Sequence, residues 1–272
     1  MSQAPLGALL REWRAARRLT QFDLALDVGV SARHLSFVEN GKSQPSRDMV
    51  TRLADVLEMP LRERNALLMA AGYAPRYRET NLSTPALARV KRAIDFMLEL
   101  QEPYPAFLMN RHWDVLMVNK AAVRVTRHVM GKDTVHTNML RQFFDPNDLR
   151  QSIANWEEVA AELIRYLHAD MVAAPTDTAN RELLEELLRY PGVPTRWRLR
   201  DLDHSPSPLL TTVFKRGETE LRFFSTITTF ATPRDVTLEE LRVECVFPDD
   251  DATAAICKQL AEAEAAGISD GG

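Results

Sequence analysis

The stretch "TQFDLALDVGVSARHLSFVENGKSQPS", Thr20 to Ser46, constrains the fold more than any other part of the chain. Thr20 and Ser31 each precede a short run with helical apolar spacing, and each can accept a backbone N–H at a helix start. The pattern predicts one helix over Gln21–Val28 and a second from Ser31 to the Asn40–Gly41 pair. Gly29 lies between them, where a sharp corner needs a left-handed residue. Leu24 and Val28 on the first helix oppose Leu35 and Val38 on the second, and Ala25 is small where the two cross. Three more helices complete the predicted head: residues 5–17, one capped by Ser46 and running through Leu57, and one from Leu61 to Ala71 after Pro60.

At 100° per residue the second helix turns Leu35 and Val38 inward and leaves Ala32, Arg33, Ser36, Phe37 and Asn40 as an outward stripe. The pair resembles the helix-turn-helix of the Cro and phage-repressor type, the XRE family, in which such a second helix enters the major groove of double-stranded DNA. Arg33 can then donate two hydrogen bonds to a guanine edge, and Ala32 and Phe37 can touch thymine methyls. Phe37 has an alternative role, folding back on its helix or meeting the second domain. Gln21 at a helix N-terminus is expected at phosphate. The resemblance implies further backbone contacts from Asn40, Lys42, Ser43 and Arg47, and a pairing of Arg14 with Glu39 inside the head, which makes Glu39 scaffold rather than reader.

Charge agrees with that division. Residues 1–78 hold 12 Lys/Arg against 8 Asp/Glu, and the remainder holds 22 against 30, a basic head on an acidic body of net −4 overall. Such a head suits a polyanion. With 272 residues the chain has room for about two domains. Cys245 and Cys257 have neither metal spacing nor a disulfide framework, which points to a reducing cytoplasm. No leader pattern and no run of about 18 apolar residues is present, so neither export nor membrane spanning is expected.

Beyond the head, "YAPRYRETNLST" reads as a linker, and Thr84–Pro85 open a helix to Gln101 with apolar residues Leu87, Val90, Ile94, Met97 and Leu98. The expected boundaries are 1–74 for the head, 75–101 for linker and connecting helix, and 102–265 for the second domain. There, Ala106–Asn110 and Val115–Val118 read as strands around "RHWD", and a helix begins near Asn119. Residues 138–200 read as helical, with Asp145–Pro146 as a helix start. "PLLTTVFKR", "ELRFFSTITTF" and "LRVECVF" then read as strands, and "PDDDATAAICKQLAEAEAAG" as a closing helix. The fold class is therefore an all-α five-helix head followed by an α+β domain whose five-stranded antiparallel sheet carries helices.

Strand, tight turn, strand and an Asn leading into a helix resemble the opening of a PAS sensor domain. "RERNALLMAAGYAP", "PYPAFLMNRHWDV", "ANWEEVAAELI" and "FFSTITTFATPRDVTLEELRVECVFP" resemble the MmyB-like regulators. That resemblance implies a transcription regulator whose second domain takes a small hydrophobic, fatty-acid-like ligand, and a homodimer reading a two-fold operator is expected. The alternative is a PAS-like domain that serves dimerisation or protein interaction without a ligand. Residues expected to line a pocket are Phe107, Met109, Trp113, Met117, Phe143, Trp156, Phe224 and Thr226, with Arg111, His112 and Arg222 as partners for a ligand carboxylate. No HExxH, GxSxG, Walker or dinucleotide motif occurs, and His112, His128, His136, His168 and His204 lack ligand spacing. No catalysis, metal or cofactor is expected.

Overall fold

The computed structural model describes residues 5–194, 197 and 209–267. Part of the predicted "PLLTTVFKR" strand and His204 lie outside them. The chain divides into two compact units. The first comprises residues 1–80 with two later stretches, 168–181 and 232–239. The second comprises residues 81–167, 182–231 and 240–272.

The first unit opens with α1 (Leu6–Ala16), α2 (Gln21–Val28), α3 (Ala32–Glu39), α4 (Arg47–Val56) and α5 (Leu61–Ala70). Local chemistry sets each boundary. Thr20 and Asp23 form a reciprocal capping box at α2, and Ser31 and Ser46 accept from the N–H groups of His34 and Met49 at α3 and α4. Gly29 closes α2 at φ 75°, the left-handed value the corner requires. Leu10, Trp13, Leu24, Leu35, Leu53, Leu57 and Leu67 are fully buried together. Burial of each such side chain is worth roughly 1.5–3 kcal/mol, so this core rather than helix propensity holds the short helices. The crossing of α1 and α3 is very close: a Cβ built on Gly7 would lie 1.8 Å from the Glu39 carbonyl oxygen.

The later stretches are bonded into this unit. The Glu239 carboxylate accepts from the Leu61 N–H at 2.6 Å and so caps α5, whose own preceding residue is Pro60. The Thr176 hydroxyl donates to buried Glu63 at 2.7 Å. Arg17 donates to the carbonyls of Val172 and Ala173, and Asp235 accepts from the Thr80 hydroxyl.

The second unit contains α6 (Ala88–Leu100), β1 (Ala106–Met109), β2 (Val115–Val118), α7 (Lys120–Met130), α8 (Met139–Phe144), most of α9 (Trp156–Ala173) and of α10 (Thr178–Leu187), β3 (Thr212–Arg216), β4 (Thr219–Thr229), β5 (Arg242–Pro248) and α12 (Asp251–Ala265). The short α11 (Val236–Glu240) lies in the predicted link between β4 and β5. The strands form one antiparallel sheet in the order β2-β1-β5-β4-β3. Asn119 starts α7 by accepting from Ala122 N–H, and its amide also donates to the carbonyls of Leu98 and Tyr104.

Val125 and Val129 of α7 and Cys257 of α12 pack on Leu221 and Phe223 of β4. The Asp145–Pro146 pair departs from expectation. Asp145 ends α8, and its carboxylate accepts from Asn147 N–H in a tight turn. The next element is a 3-10 turn, Leu149–Ser152, rather than an α-helix.

Candidate nucleic-acid interface and ligand face

α3 is pinned from below by charge. Glu39, 2% exposed, receives Arg14 Nε at 2.8 Å, Arg14 Nη2 at 3.2 Å and Gln21 Nε2 at 2.7 Å. Arg11 donates to the Glu39 backbone carbonyl. A buried carboxylate without such donors would be costly, so the network fixes how α3 is rotated. Leu35 and Val38 then face the core, while Arg33, Phe37 and Asn40 are exposed. The Arg33 guanidinium lies over the Phe37 ring at 5.4 Å. The two thus form one platform, a cation on an aromatic face.

The other expected contact residues divide. Lys42 and Arg47 are exposed and Ser43 is half-buried. Ser36 is half-buried, and its carbonyl and hydroxyl accept from the Asn40 amide. Ala32 packs partly against the core. The Gln21 amide is directed at Glu39 inside the network. An open hollow of about 530 Å³ brings Asn40, Lys42 and Ser43 beside Arg11, Gln44 and the first turn of α1. Arg11 carries no sequence mark of such a role. It lies 28 residues from Glu39, and only the α1–α3 crossing puts it there.

In the second unit the register sorts the pocket residues by face. Phe107 pairs with Glu244, which pairs with Ile227; Met109 pairs with Arg242, which pairs with Thr229. Side chains alternate along a strand, so Phe107, Met109, Ser225, Ile227, Thr229, Arg242 and Glu244 share one face. Phe143 reaches this face too, through an edge contact with Phe214 opposite Leu221. Trp113 joins it through Arg242, whose guanidinium lies 5.7 Å from the indole centre, and meets Tyr166 edge-on at 6.3 Å. Trp113 is held at φ 67° by the Asn110 turn, in which Asn110 Oδ1 accepts from His112 and Asp114 N–H.

Met117, Phe224 and Thr226 lie on the opposite face, paired with Leu108, Phe247 and Cys245. Phe224 stacks on Phe247 at 5.5 Å, and Thr226 is exposed. Trp156 is 9% exposed, donates to the Phe143 carbonyl and lies under Arg150 at 3.5 Å. The eight expected residues therefore do not surround one cavity, because strand alternation puts three of them behind the sheet. Arg111 pairs with Glu240 at 3.5 Å, and Arg222 pairs with Glu220 at 3.0 Å. Glu244, missed in the sequence, sits between Phe107 and Ile227 on the first face. Burial pushes its carboxyl above the ordinary range, and the Ser225 hydroxyl offsets part of that effect.

A glycine-cornered helix pair on a five-helix core, with its second helix locked by a buried carboxylate, defines a helix-turn-helix domain. Residues 5–67 match the family model described as a helix-turn-helix domain, and residues 90–260 match the MmyB-like transcription regulator ligand binding domain. The chain belongs to the MmyB-like transcription regulators.

Among its relatives is an uncharacterized HTH-type transcriptional regulator, RghRB, of Bacillus subtilis, 39% identical over 28% of this chain and 53% of its own length. The ImmF control region 10 kDa protein of Bacillus phage phi105 is 36% identical over 21% of this chain and 62% of its own. The HTH-type transcriptional repressor RghR of B. subtilis is 34% identical over 40% of this chain and 78% of its own. The chain thus spans about half to three-fifths of the first two relatives. Among the described residues no helix is long and apolar enough to cross a membrane, and no group of three His, Cys, Asp or Glu could hold a metal ion.

Proposed function

We propose that the protein is a cytoplasmic, homodimeric transcription regulator that reads a two-fold operator in double-stranded DNA and responds to a small hydrophobic ligand. The observation that carries the DNA reading is the Arg14–Glu39–Gln21 network, which holds α3 with Arg33 and Phe37 outward. Arg33 reads a guanine edge and Phe37 a thymine methyl. Ala32 and Ser36 sit close to the bases, while Gln21, Asn40, Lys42, Ser43 and Arg47 serve the backbone. Dimeric heads of this kind take half-sites one helical turn apart, about 34 Å.

Fluorescence anisotropy on a selected operator tests this. Arg33→Ala should lose about 1–3 kcal/mol on the cognate site and relax specificity at one base pair, whereas Arg47→Ala should weaken all sequences alike and flatten the salt dependence. Equal losses on operator and random DNA for Arg33→Ala would overturn the assignment of Arg33 as reader.

The ligand reading places an apolar chain on the sheet face of Phe107, Met109 and Trp113, beside Ser225, Ile227 and Glu244. An apolar surface with a few convergent polar groups suits such a molecule. Ile227 is 37% exposed on that face. Native mass spectrometry of the purified protein, with a fluorescent acyl probe, should find an occupant that Phe107→Asp expels. Failure to retain any ligand or probe would favour the dimerisation module instead.

A further inference from the structure

β4 is eleven residues long, and β3 pairs with only its first part, Thr219 to Phe223. From Phe224 to Thr229 it is bonded to β5 on one side alone, and among the described residues no strand lies on its outer side. The Arg222 carbonyl accepts from Asp249 N–H, on the β5 side. Backbone groups alternate sides along an antiparallel strand, so the N–H and C=O of Ser225, Ile227 and Thr229 point outward. All five residues from Ser225 to Thr229 are exposed.

Natural sheet edges are blunted with charge, proline or a bulge. This one has none: its register against β5 is unbroken, and "STITT" is uncharged and strongly strand-forming. It also reads nearly the same in both directions about Ile227, with Thr on either side and a hydroxyl residue beyond each. Such a sequence complements itself in an antiparallel pair.

We propose that β4 is the seam of a homodimer, pairing antiparallel with β4 of a second copy about a two-fold axis at Ile227. Ser225 meets Thr229 of the second copy, and Ile227 meets its own counterpart. These three outward-facing pairs exchange two bonds each, about six in all. Thr226 meets Thr228 of the second copy at the intervening positions, where cross-strand side chains come closest and threonine pairs are favourable. The pairing joins two five-stranded sheets into one continuous sheet. A second copy is favoured over a foreign peptide because the segment matches itself in both polarity and order. The seam rests on the homodimer proposed above, and not on its DNA binding.

The test is the mass of the full-length protein by sedimentation velocity, with circular dichroism and thermal melts as folding controls. Wild type should sediment at twice the chain mass. Thr226→Lys with Thr228→Lys puts like charges opposite across the axis and should sediment at once the chain mass with an unchanged spectrum. Thr226→Lys with Thr228→Glu puts opposite charges there and should restore the dimer. A monomeric wild type overturns the proposal, as does a Lys/Lys protein that stays dimeric. A Lys/Glu protein as monomeric as Lys/Lys would show that the register is wrong. Loss of operator binding in a protein that remains dimeric would instead count against the DNA reading.

Discussion

Two glutamates, Glu39 buried in the first unit and Glu244 half-buried on the sheet of the second, are treated in opposite ways. Glu39 in the first unit is surrounded by donors: the Nε and Nη2 groups on one edge of the Arg14 guanidinium and the Gln21 amide converge on it. Glu244 in the second unit lies between Phe107 and Ile227 on its neighbouring strands, with the Ser225 hydroxyl as the contact that steadies its charged form. A charge bonded on several sides specifies one geometry, since each donor has a direction. A carboxyl pushed toward its neutral form specifies little and tolerates a changing neighbour. The contrast suits the two tasks proposed: rigid presentation of α3 to a fixed lattice of bases and phosphates, and an adaptable face for a flexible apolar molecule.

Removing the fixed charge is the harshest way to break this contrast. Glu39→Ala leaves the Arg14 guanidinium without its carboxylate. Loss of one partner from a buried pair costs about 3–5 kcal/mol. Arg14 keeps 18% of its side chain exposed, which puts the expectation at the lower end. Thermal or urea melts of the first unit's transition read the loss. An unchanged midpoint would mean that packing alone, through Gly7 against the Glu39 backbone, orients α3.

A middle-sized effect probes how the first unit is completed. Thr176 lies 113 residues from Glu63 in sequence, yet its hydroxyl donates to that buried carboxylate. Thr176→Val keeps the shape and removes the donor. It should cost about 1.5–3 kcal/mol, the range for a single hydrogen bond to a charged group. The loss should appear in hydrogen-exchange protection of α5 amides. Faster exchange confined to α9, with α5 unchanged, would show that the 168–181 stretch contributes nothing to the head.

These two positions also mark what the sequence could reveal. Thr20, Gly29 and Ser31 act on neighbours three residues away, so spacing alone exposes the helix corner, and the outward position of Arg33 and Phe37 follows from helical period. The pairing of Arg14 with Glu39 entered only through family resemblance. Arg11, Thr176 and Glu239 act across long gaps, and no local pattern reports such contacts. In the second unit the strands were legible from β-branched runs, but which face was inward was not. Alternation shows two sides without naming either. Only the register across β1, β5 and β4 puts Phe107 with Ile227 and sends Phe224 and Thr226 behind the sheet. Glu244 was hidden for the same reason: within "LRVECVF" a single acid in a strand reads as a solvated position.

The smallest effect tests the adaptable carboxyl. Burial raises the Glu244 pKa in the folded protein above its unfolded value. For such a group the relative stability is fully present below the unfolded pKa and is lost as pH rises through the raised folded pKa. Glu244→Gln carries no charge at any pH and keeps a polar group beside Ser225. The variant should therefore melt with wild type in acid and increasingly above it as pH rises toward neutrality, by a few degrees at most. Melting temperatures of both proteins across that range check the sign. A difference that stays flat with pH would mean that folding does not move the Glu244 titration. In that case the carboxylate would be ionised near neutrality as it is in the unfolded chain, and Arg242 on the same sheet face would be the cation placed to balance it beside an apolar chain.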